Sequence, residues 1–428
     1  MELRVSENRR FLMYEDGTPF FYLGDTTWEL FHRLNREEAD LFLEDRAEKG
    51  FTVLQAVVLA ELDGLNDPNP YGHTPLKDND PTQPNEDYFA HVDYIVNKAE
   101  SLGLFIGMLP TWGDKWNAAW GRGAKIFSPE NAAVYGEYLA RRYASKPIIW
   151  ILGGDRPVTE EEHFAIIRAM AQGLKAGGSG GHQLVTFHPQ GQQDSARYFH
   201  DDEWLDFNMY QTGHTFDRDN WRSVAELYAK TPVKPCLDSE PGYEDHPNGW
   251  KADTGYLDEY ECRKFLYWAL FAGACGHTYG CHDIWQMWQP GRNPISAART
   301  PWQTAMHLPG ASQMQYGKQL LLQRSYFTRI PDQSVVVSET YDDDLRRTHH
   351  IQATRDMNGA FILVYSASGQ PFTVDMSKLE GKAKGAWLNP RTGKSEEFGE
   401  FDNTGTQEFT PPSKGRGHDW VLTLDTIG

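Results

Sequence analysis

The stretch Ile148-Ile149-Trp150-Ile151-Leu152-Gly153-Gly154-Asp155 decides the fold. Its first five residues are apolar: three β-branched isoleucines, a leucine and a tryptophan. The run is too short and too uniformly apolar for a surface helix, so it reads as a strand buried on both faces. Gly153-Gly154 lets the backbone turn sharply and delivers a carboxylate, Asp155, into a loop. Pro157 prevents the strand from continuing, and Thr159-Glu160-Glu161-Glu162 opens a helix with a capping-box pattern. A buried strand that ends in a carboxylate points to a catalytic group on a parallel barrel. The alternative is a residue that merely caps the turn.

The same unit recurs on both sides. Phe20-Phe21-Tyr22-Leu23 leads into Gly24-Asp25-Thr26-Thr27-Trp28, and Asn35 with Glu38 caps the next helix. Thr52-Val53-Leu54-Gln55-Ala56-Val57-Val58 is a β-rich run followed by Glu61. Residues 63–86 form a polar excursion too long for an ordinary βα connection, which marks a functional loop. Further strands are expected at 104–109, 184–188, 206–210, 235–240 and 276–280, with helices at 88–102, 131–143, 160–176, 221–229, 260–272 and 310–322. Eight strand-then-helix units within 1–333 predict an α/β fold of the (β/α)8 TIM-barrel type. A doubly wound sheet would carry a Gly-rich phosphate loop after its first strand, and Gly24-Asp25-Thr26-Thr27 is not one.

After Pro331 the texture changes. Ser334-Val335-Val336-Val337-Ser338, Phe361-Ile362-Leu363-Val364-Tyr365, Phe372-Thr373-Val374-Asp375 and Trp420-Val421-Leu422-Thr423-Leu424 read as short strands. Turn pairs such as Asn358-Gly359 and Thr392-Gly393 separate them. Residues 334–428 are therefore expected to form a small antiparallel β-sandwich domain.

With 428 residues, 39% of them hydrophobic and 14 of them Trp, the chain has enough apolar surface for both cores and an aromatic excess suited to stacking on sugar rings. A net charge of −19 with no run of Lys or Arg argues against a nucleic-acid partner. No apolar run approaches a transmembrane length, so no membrane partner is expected. The N-terminus lacks an apolar signal core. That predicts a cytoplasmic protein if Met1 is the native start, and a periplasmic or secreted one if an export signal has been removed. Cys236, Cys262, Cys275 and Cys281 lack metal or redox spacing and read as buried free thiols. Nothing in the sequence sets an oligomeric state.

In a barrel of this kind the C-terminal strand ends share one cavity. They deliver Asp25, Trp28, Glu61, Trp112, Asp114, Asp155, His188, Tyr210, His214, Glu240 and Trp285. The set is carboxylates and aromatics. It contains no Gly-x-Ser-x-Gly nucleophile elbow, and Lys234 precedes its strand, which weakens a Schiff-base reading. Asp25-Thr26-Thr27 stands where a metal-dependent barrel hydrolase carries a His-x-His pair. His277 and His282-Asp283 alone are a weak metal signal, so no metal and no cofactor are expected. Two carboxylates across a sugar-sized cleft fit glycoside hydrolysis, and the best pair is Asp155 with Glu240. Their carboxyls are expected to face each other about 5 Å apart, the separation that retains anomeric configuration, whereas about 9 Å would invert it. Trp28, Trp112 and Trp285 are either sugar platforms or core, and His188, Tyr210 and His214 are candidate partners for hydroxyls or carboxylates.

Acidic residues after strands four and seven resemble the retaining glycosidase clan built on this barrel. Most of that clan has Asn-Glu at strand four, whereas this chain has Gly154-Asp155. That departure resembles the apiosidase-like family. So do Tyr22-Leu23-Gly24-Asp25-Thr26-Thr27-Trp28, Leu109-Pro110-Thr111-Trp112-Gly113, Trp150-Ile151-Leu152-Gly153-Gly154-Asp155 and Asp238-Ser239-Glu240-Pro241. The resemblance implies Asp155 as acid/base and Glu240 as nucleophile of a retaining exo-glycosidase. It would remove terminal β-apiofuranosyl residues from plant glycosides or pectin side chains. The alternatives are another furanoside, an endo-acting enzyme, or a non-catalytic carbohydrate-binding protein. The tail, with Trp387-Leu388-Asn389-Pro390-Arg391-Thr392-Gly393, resembles a small β-domain named for collagen binding, which implies a fold only. Polyanionic pectin would need cations in the cleft. Arg122, Lys125, Arg156 and Arg292 lie in predicted loops and are candidates.

Overall fold

The eight barrel strands of the computed structural model are Tyr22–Thr26 (β1), Val53–Leu59 (β2), Phe105–Thr111 (β3), Ile148–Gly153 (β4), Val185–His188 (β5), Asn208–Tyr210 (β6), Cys236–Asp238 (β7) and Gly276–Tyr279 (β8). The structure describes residues 2–121, 123–178, 183–343 and 348–427. All eight strands are parallel and pair in the order β5-β4-β3-β2-β1-β8-β7-β6. The ring closes between β5 and β6 without a ladder among the described residues. Asp206 N donates to Val185 O at 2.9 Å, its Oδ2 accepts from Val185 N at 2.8 Å, and Thr186 Oγ1 donates to Phe207 O at 2.6 Å. One carboxyl and one hydroxyl thus satisfy backbone groups that a neighbouring strand would otherwise take.

Strand alternation fixes what faces the barrel axis. Tyr22 reaches inward, its hydroxyl donating to Gln55 Oε1 at 3.0 Å. Asp25 therefore points outward, into the helix Arg36–Glu48 (α1), where Arg46 Nε meets it at 2.5 Å. That helix starts with the expected capping box of Asn35 and Glu38. Outer helices Glu86–Ser101 (α2), Pro129–Arg142 (α3), Glu161–Gly177 (α4), Asn220–Ala229 (α5), Glu259–Phe271 (α6) and Pro309–Leu322 (α7) complete the ring. The capping box expected at Thr159 does not form. The helix starts at Glu161, so Glu160 is its cap and makes no side-chain cap bond. All four cysteines are buried and free. No helix among the described residues is long and apolar enough to cross a membrane.

The tail forms two antiparallel sheets over one core. Six strands order as Arg329–Pro331, Ile351–Asp356, Phe361–Ser366, Trp420–Thr426, Ala383–Leu388 and Ser395–Phe401, and Phe372–Asp375 pairs with Thr406–Phe409. Ile351, Ile362, Val364 and Leu424 from the large sheet pack with Phe372, Val374 and Phe409 from the small one. Residues 334–338 are not a strand. Gln333–Val335 is a short 3-10 turn, and Val336 makes one isolated bridge to Val374. Val335 and Val336 fill the core from this turn, whereas Val337 is exposed. The tail seats on α6: Arg263 Nε and Nη2 each donate to Asp419 at 2.9 Å, and Tyr267 stacks on Tyr365 with centroids 4.9 Å apart.

Candidate active site

Backbone geometry at the end of β4 aims Asp155. Gly153 and Gly154 have φ of +98° and +103°, a region that favours glycine. A Cβ on Gly154 would come within 2.7 Å of Gly113 N, which donates to Gly154 O at 2.9 Å. Asp155 itself has φ +53°, which Asp tolerates better than most residues. Across the barrel, Asp238 is a buried brace. Its Oδ2 accepts from Thr212 Oγ1 and from Asn220 Nδ2. Ser239 N then donates to Tyr210 O at 2.8 Å and Gly213 N to Glu240 O at 3.2 Å, which pins the turn carrying Glu240 against the end of β6.

Both carboxyls line one cavity of about 370 Å³, together with Glu61, Trp28, Trp112, His214 and Trp285. Their environments differ. Glu240 has His214 Nε2 3.1 Å from Oε1 and His188 Nε2 3.1 Å from Oε2. The His188 contact is poorly aligned, so it acts as a polar contact rather than a hydrogen bond. Burial would raise the Glu240 pKa, but the two histidines outweigh it and hold the carboxyl down at about 2. His214 Nδ1 faces Pro241 O at 3.1 Å, so the ring is held between the Glu240 carboxyl and the turn that follows it. Asp155 is pushed well above the usual carboxylate range. Burial is the largest cause, followed by the Glu240 and Glu61 charges, while Arg156 and a Gln211 hydrogen bond oppose the rise. The 32% of its side chain that stays exposed opens onto the cavity itself.

The remaining sequence candidates divide by position. Trp28 and Trp112 are 2% exposed and lie 5.1 Å apart, so they form a wall of the cavity rather than an open platform. Trp112 keeps a buried Nε1–H with no hydrogen-bond partner among the described residues. Trp285 donates Nε1 to His282 Nδ1 at 3.3 Å. His188 stands behind Glu240 and does not line the cavity. Asp25 belongs to the Arg46 pair. Tyr210 turns outward into a small apolar cluster with Val224, Leu227 and Cys236, because Met209 and Gln211 take the inward positions of β6. Asp114 pairs with Lys115 at 2.8 Å and lines a second cavity of about 400 Å³, which shares Glu61 with the first and includes Asp63, Leu65 and Asn66 of the long excursion.

The sequence reading missed Gln211, Arg218, Tyr243 and Trp250, all of which line the cavity. Trp250 is 52% exposed, has φ +67°, and rests edge-on against His246 with centroids 4.5 Å apart. A tryptophan inside the polar turn Asn248-Gly249-Trp250-Lys251 was the available signal. Of the candidate cleft cations, Lys125 pairs with Glu162, and Arg292 donates to Met287 O and Arg33 O. Arg156 turns to Glu61, and Arg122 lies outside the described residues. Arg218 lines the cavity instead. His282 Nε2 contacts Ile295 O and Ser296 O, each at 3.0 Å. No group of three or more His, Cys, Asp or Glu among the described residues is arranged to hold a metal ion.

Comparison with known proteins agrees with the motifs. The family description "Apiosidase-like, catalytic domain" matches residues 6–328, and "Putative collagen-binding domain of a collagenase" matches residues 330–425. A solved structure described as a glycoside hydrolase is 36% identical, with 99% of this chain and 96% of that chain covered and a TM-score of 0.90. A glycoside hydrolase family 5 structure from Bacteroides vulgatus ATCC 8482 is 35% identical over 99% of this chain and 93% of its own, also with a TM-score of 0.90. No curated protein matches. The chain belongs to the apiosidase-like family and is a glycoside hydrolase acting on a carbohydrate substrate.

Proposed function

We propose that this enzyme removes terminal apiosyl residues by double displacement, with Asp155 as acid/base and Glu240 as nucleophile. One observation carries the reading: two carboxyls line one cavity in opposite environments, burial and the neighbouring carboxylates pushing the pKa of Asp155 up while two histidines hold that of Glu240 down. Asp155 gives its proton to the glycosidic oxygen as the C–O bond breaks, and a Glu240 oxygen bonds the anomeric carbon. The aglycone leaves as a neutral alcohol. Formation of the ester removes the Glu240 charge, and with it a cause of the high proton affinity of Asp155. Asp155 is then suited to be the carboxylate that takes a proton from water, whose oxygen attacks the anomeric carbon and expels Glu240. The chemistry stays within 1–333, and 334–428 supplies no reacting group.

The substrate we favour is an apioside of an acidic glycan such as a pectin side chain. Arg218 donates Nη1 to Gln192 Oε1 at 2.9 Å and keeps a buried Nε with no hydrogen-bond partner among the described residues. In a chain of net charge −19, a cation lining the cavity supplies what a neutral flavonoid apioside would not need.

The test uses an aryl β-apiofuranoside with an acidic leaving group. Glu240→Gln is expected to abolish turnover. Asp155→Asn is expected to keep a fast first step, accumulate the glycosyl–enzyme and be accelerated by azide. An Asp155→Asn enzyme as active as wild type on an unactivated apioside would remove Asp155 from the acid role. Hydrolysis of another furanoside with apiosides refused would overturn the sugar assignment.

A further inference from the structure

Arg156 follows Asp155 directly and is 2% exposed. Its guanidinium does not reach the cavity lining. Nη2 lies 3.2 Å from Glu61 Oε1, and Nη1 lies 3.5 Å from Asp155 Oδ2 and donates to Asp155 O at 2.9 Å. One cation therefore spans carboxyls that arrive from the ends of β2 and β4. Over it lies the ring of Trp120, whose centroid is 4.4 Å from Arg156 Cζ. Trp120 is 62% exposed and has φ +63°, a strained conformation for a large side chain. It does not line the catalytic cavity. Its ring explains how a guanidinium near the rim has so little contact with water.

Three charged groups face Asp155 among the described residues: Glu240 from the end of β7, Glu61 from the end of β2, and Arg156 beside it. Gln211 from the end of β6 adds a hydrogen bond, and Tyr243 stands close enough for the Asp155 charge to affect it. Of the three charges, Arg156 alone favours the carboxylate. Asp114 and Glu61 draw on the same cation.

We propose that Arg156, shielded by Trp120 and shared with Glu61, is a positioning residue that sets the proton affinity of Asp155 and so places the basic limb of the pH profile. The proposal rests on Asp155 acting as the acid. A charge acts more strongly where water is excluded, so uncovering Arg156 weakens its hold on Asp155. The acid then keeps its proton to higher pH. Removing the Glu61 charge has the opposite sign: one like charge disappears and Arg156 loses one of the carboxyls that compete with Asp155 for it.

The experiment is the pH dependence of kcat/KM on an unactivated apioside. Arg156→Met is expected to move the basic limb up by about one pH unit or more, and Glu61→Gln to move it down by roughly half a unit to one. Trp120→Ala, at a site remote from the reacting atoms, should move it up by a few tenths or more, and Arg156→Lys should restore most of the wild-type position. Trp120 is exposed and Glu61→Gln is isosteric, so both variants remain informative if Arg156→Met does not fold. A basic limb unmoved in both Trp120→Ala and Glu61→Gln overturns the proposal. That outcome is separable from failure of Asp155 as the acid, because Asp155→Asn would still show azide rescue on the activated glycoside.

Discussion

Replacing His214 tests how Glu240 is kept ionised. The carboxyl falls from its ordinary 4.5 to about 2, a drop of about 2.5, although burial acts against it. The two histidines together therefore supply more than that drop, and each contacts one carboxylate oxygen at 3.1 Å. If they share the effect, loss of one raises Glu240 by about 1–2 units, to between about 3 and 4. One unit corresponds to about 1.4 kcal/mol of preference for the carboxylate. A nucleophile works above its own pKa, so with Glu240 in the proposed role the consequence appears on the acid side. Wild-type kcat/KM on an aryl apioside should show no nucleophile limb above about pH 3. His214→Ala should acquire one near pH 4, and His214→Gln, which keeps a hydrogen-bond donor, should fall between. Folding is checked at each pH by circular dichroism. If the acid limb of folded His214→Ala coincides with that of wild type, the histidine does not hold the nucleophile in its ionised form.

Other outcomes follow from separate features. Because Glu240 is depressed in the fold, its contribution to stability is present above about pH 4.5 and is lost as pH falls towards 2. Urea melts of Glu240→Gln should lose roughly 3 kcal/mol less than wild type across that window. Arg46→Met strands Asp25 in the interior and is expected to cost about 3–5 kcal/mol in the same assay. Arg263→Met breaks the buried bidentate pair with Asp419 at the tail interface, so Tm should fall clearly while kcat per folded molecule stays unchanged. Trp250→Ala should raise KM roughly 5- to 10-fold for glycosides whose leaving group is a ring, and much less for a methyl glycoside.

The barrel was legible because short β-rich runs alternate along the chain with polar loops and helical segments. That Asp155 and Glu240 share one cavity was legible because strand ends of such a barrel converge. Alternation decides the cases that went elsewhere. Counting by twos from Tyr22 puts Asp25 on the outer face, and counting from Met209 does the same for Tyr210. The valines at 335–337 misled because β-branched residues such as Val335 and Val336 fill a core from a turn as well as from a strand. Glu61 was found but its tie to Arg156 was not, since that contact joins two loops 95 residues apart and leaves no periodic trace. Arg218 and Trp250 share this difficulty. Their places depend on loop paths that local composition does not encode.

The join between β5 and β6 has a consequence for how the enzyme ages with heat. Every other neighbouring pair in the ring is held by a parallel ladder, and this one by the side chains of Asp206 and Thr186 with one backbone bond. It is the stave joint at which the cask leaks first. His188 ends one of these strands and His214 follows the other, and these two residues grip Glu240. Gentle warming that loosens the joint slackens both grips at once while the remaining strands stay bound. Hydrolysis is therefore expected to fail at a lower temperature than the far-UV circular dichroism signal, and a clamp placed across that single joint to protect activity more than stability.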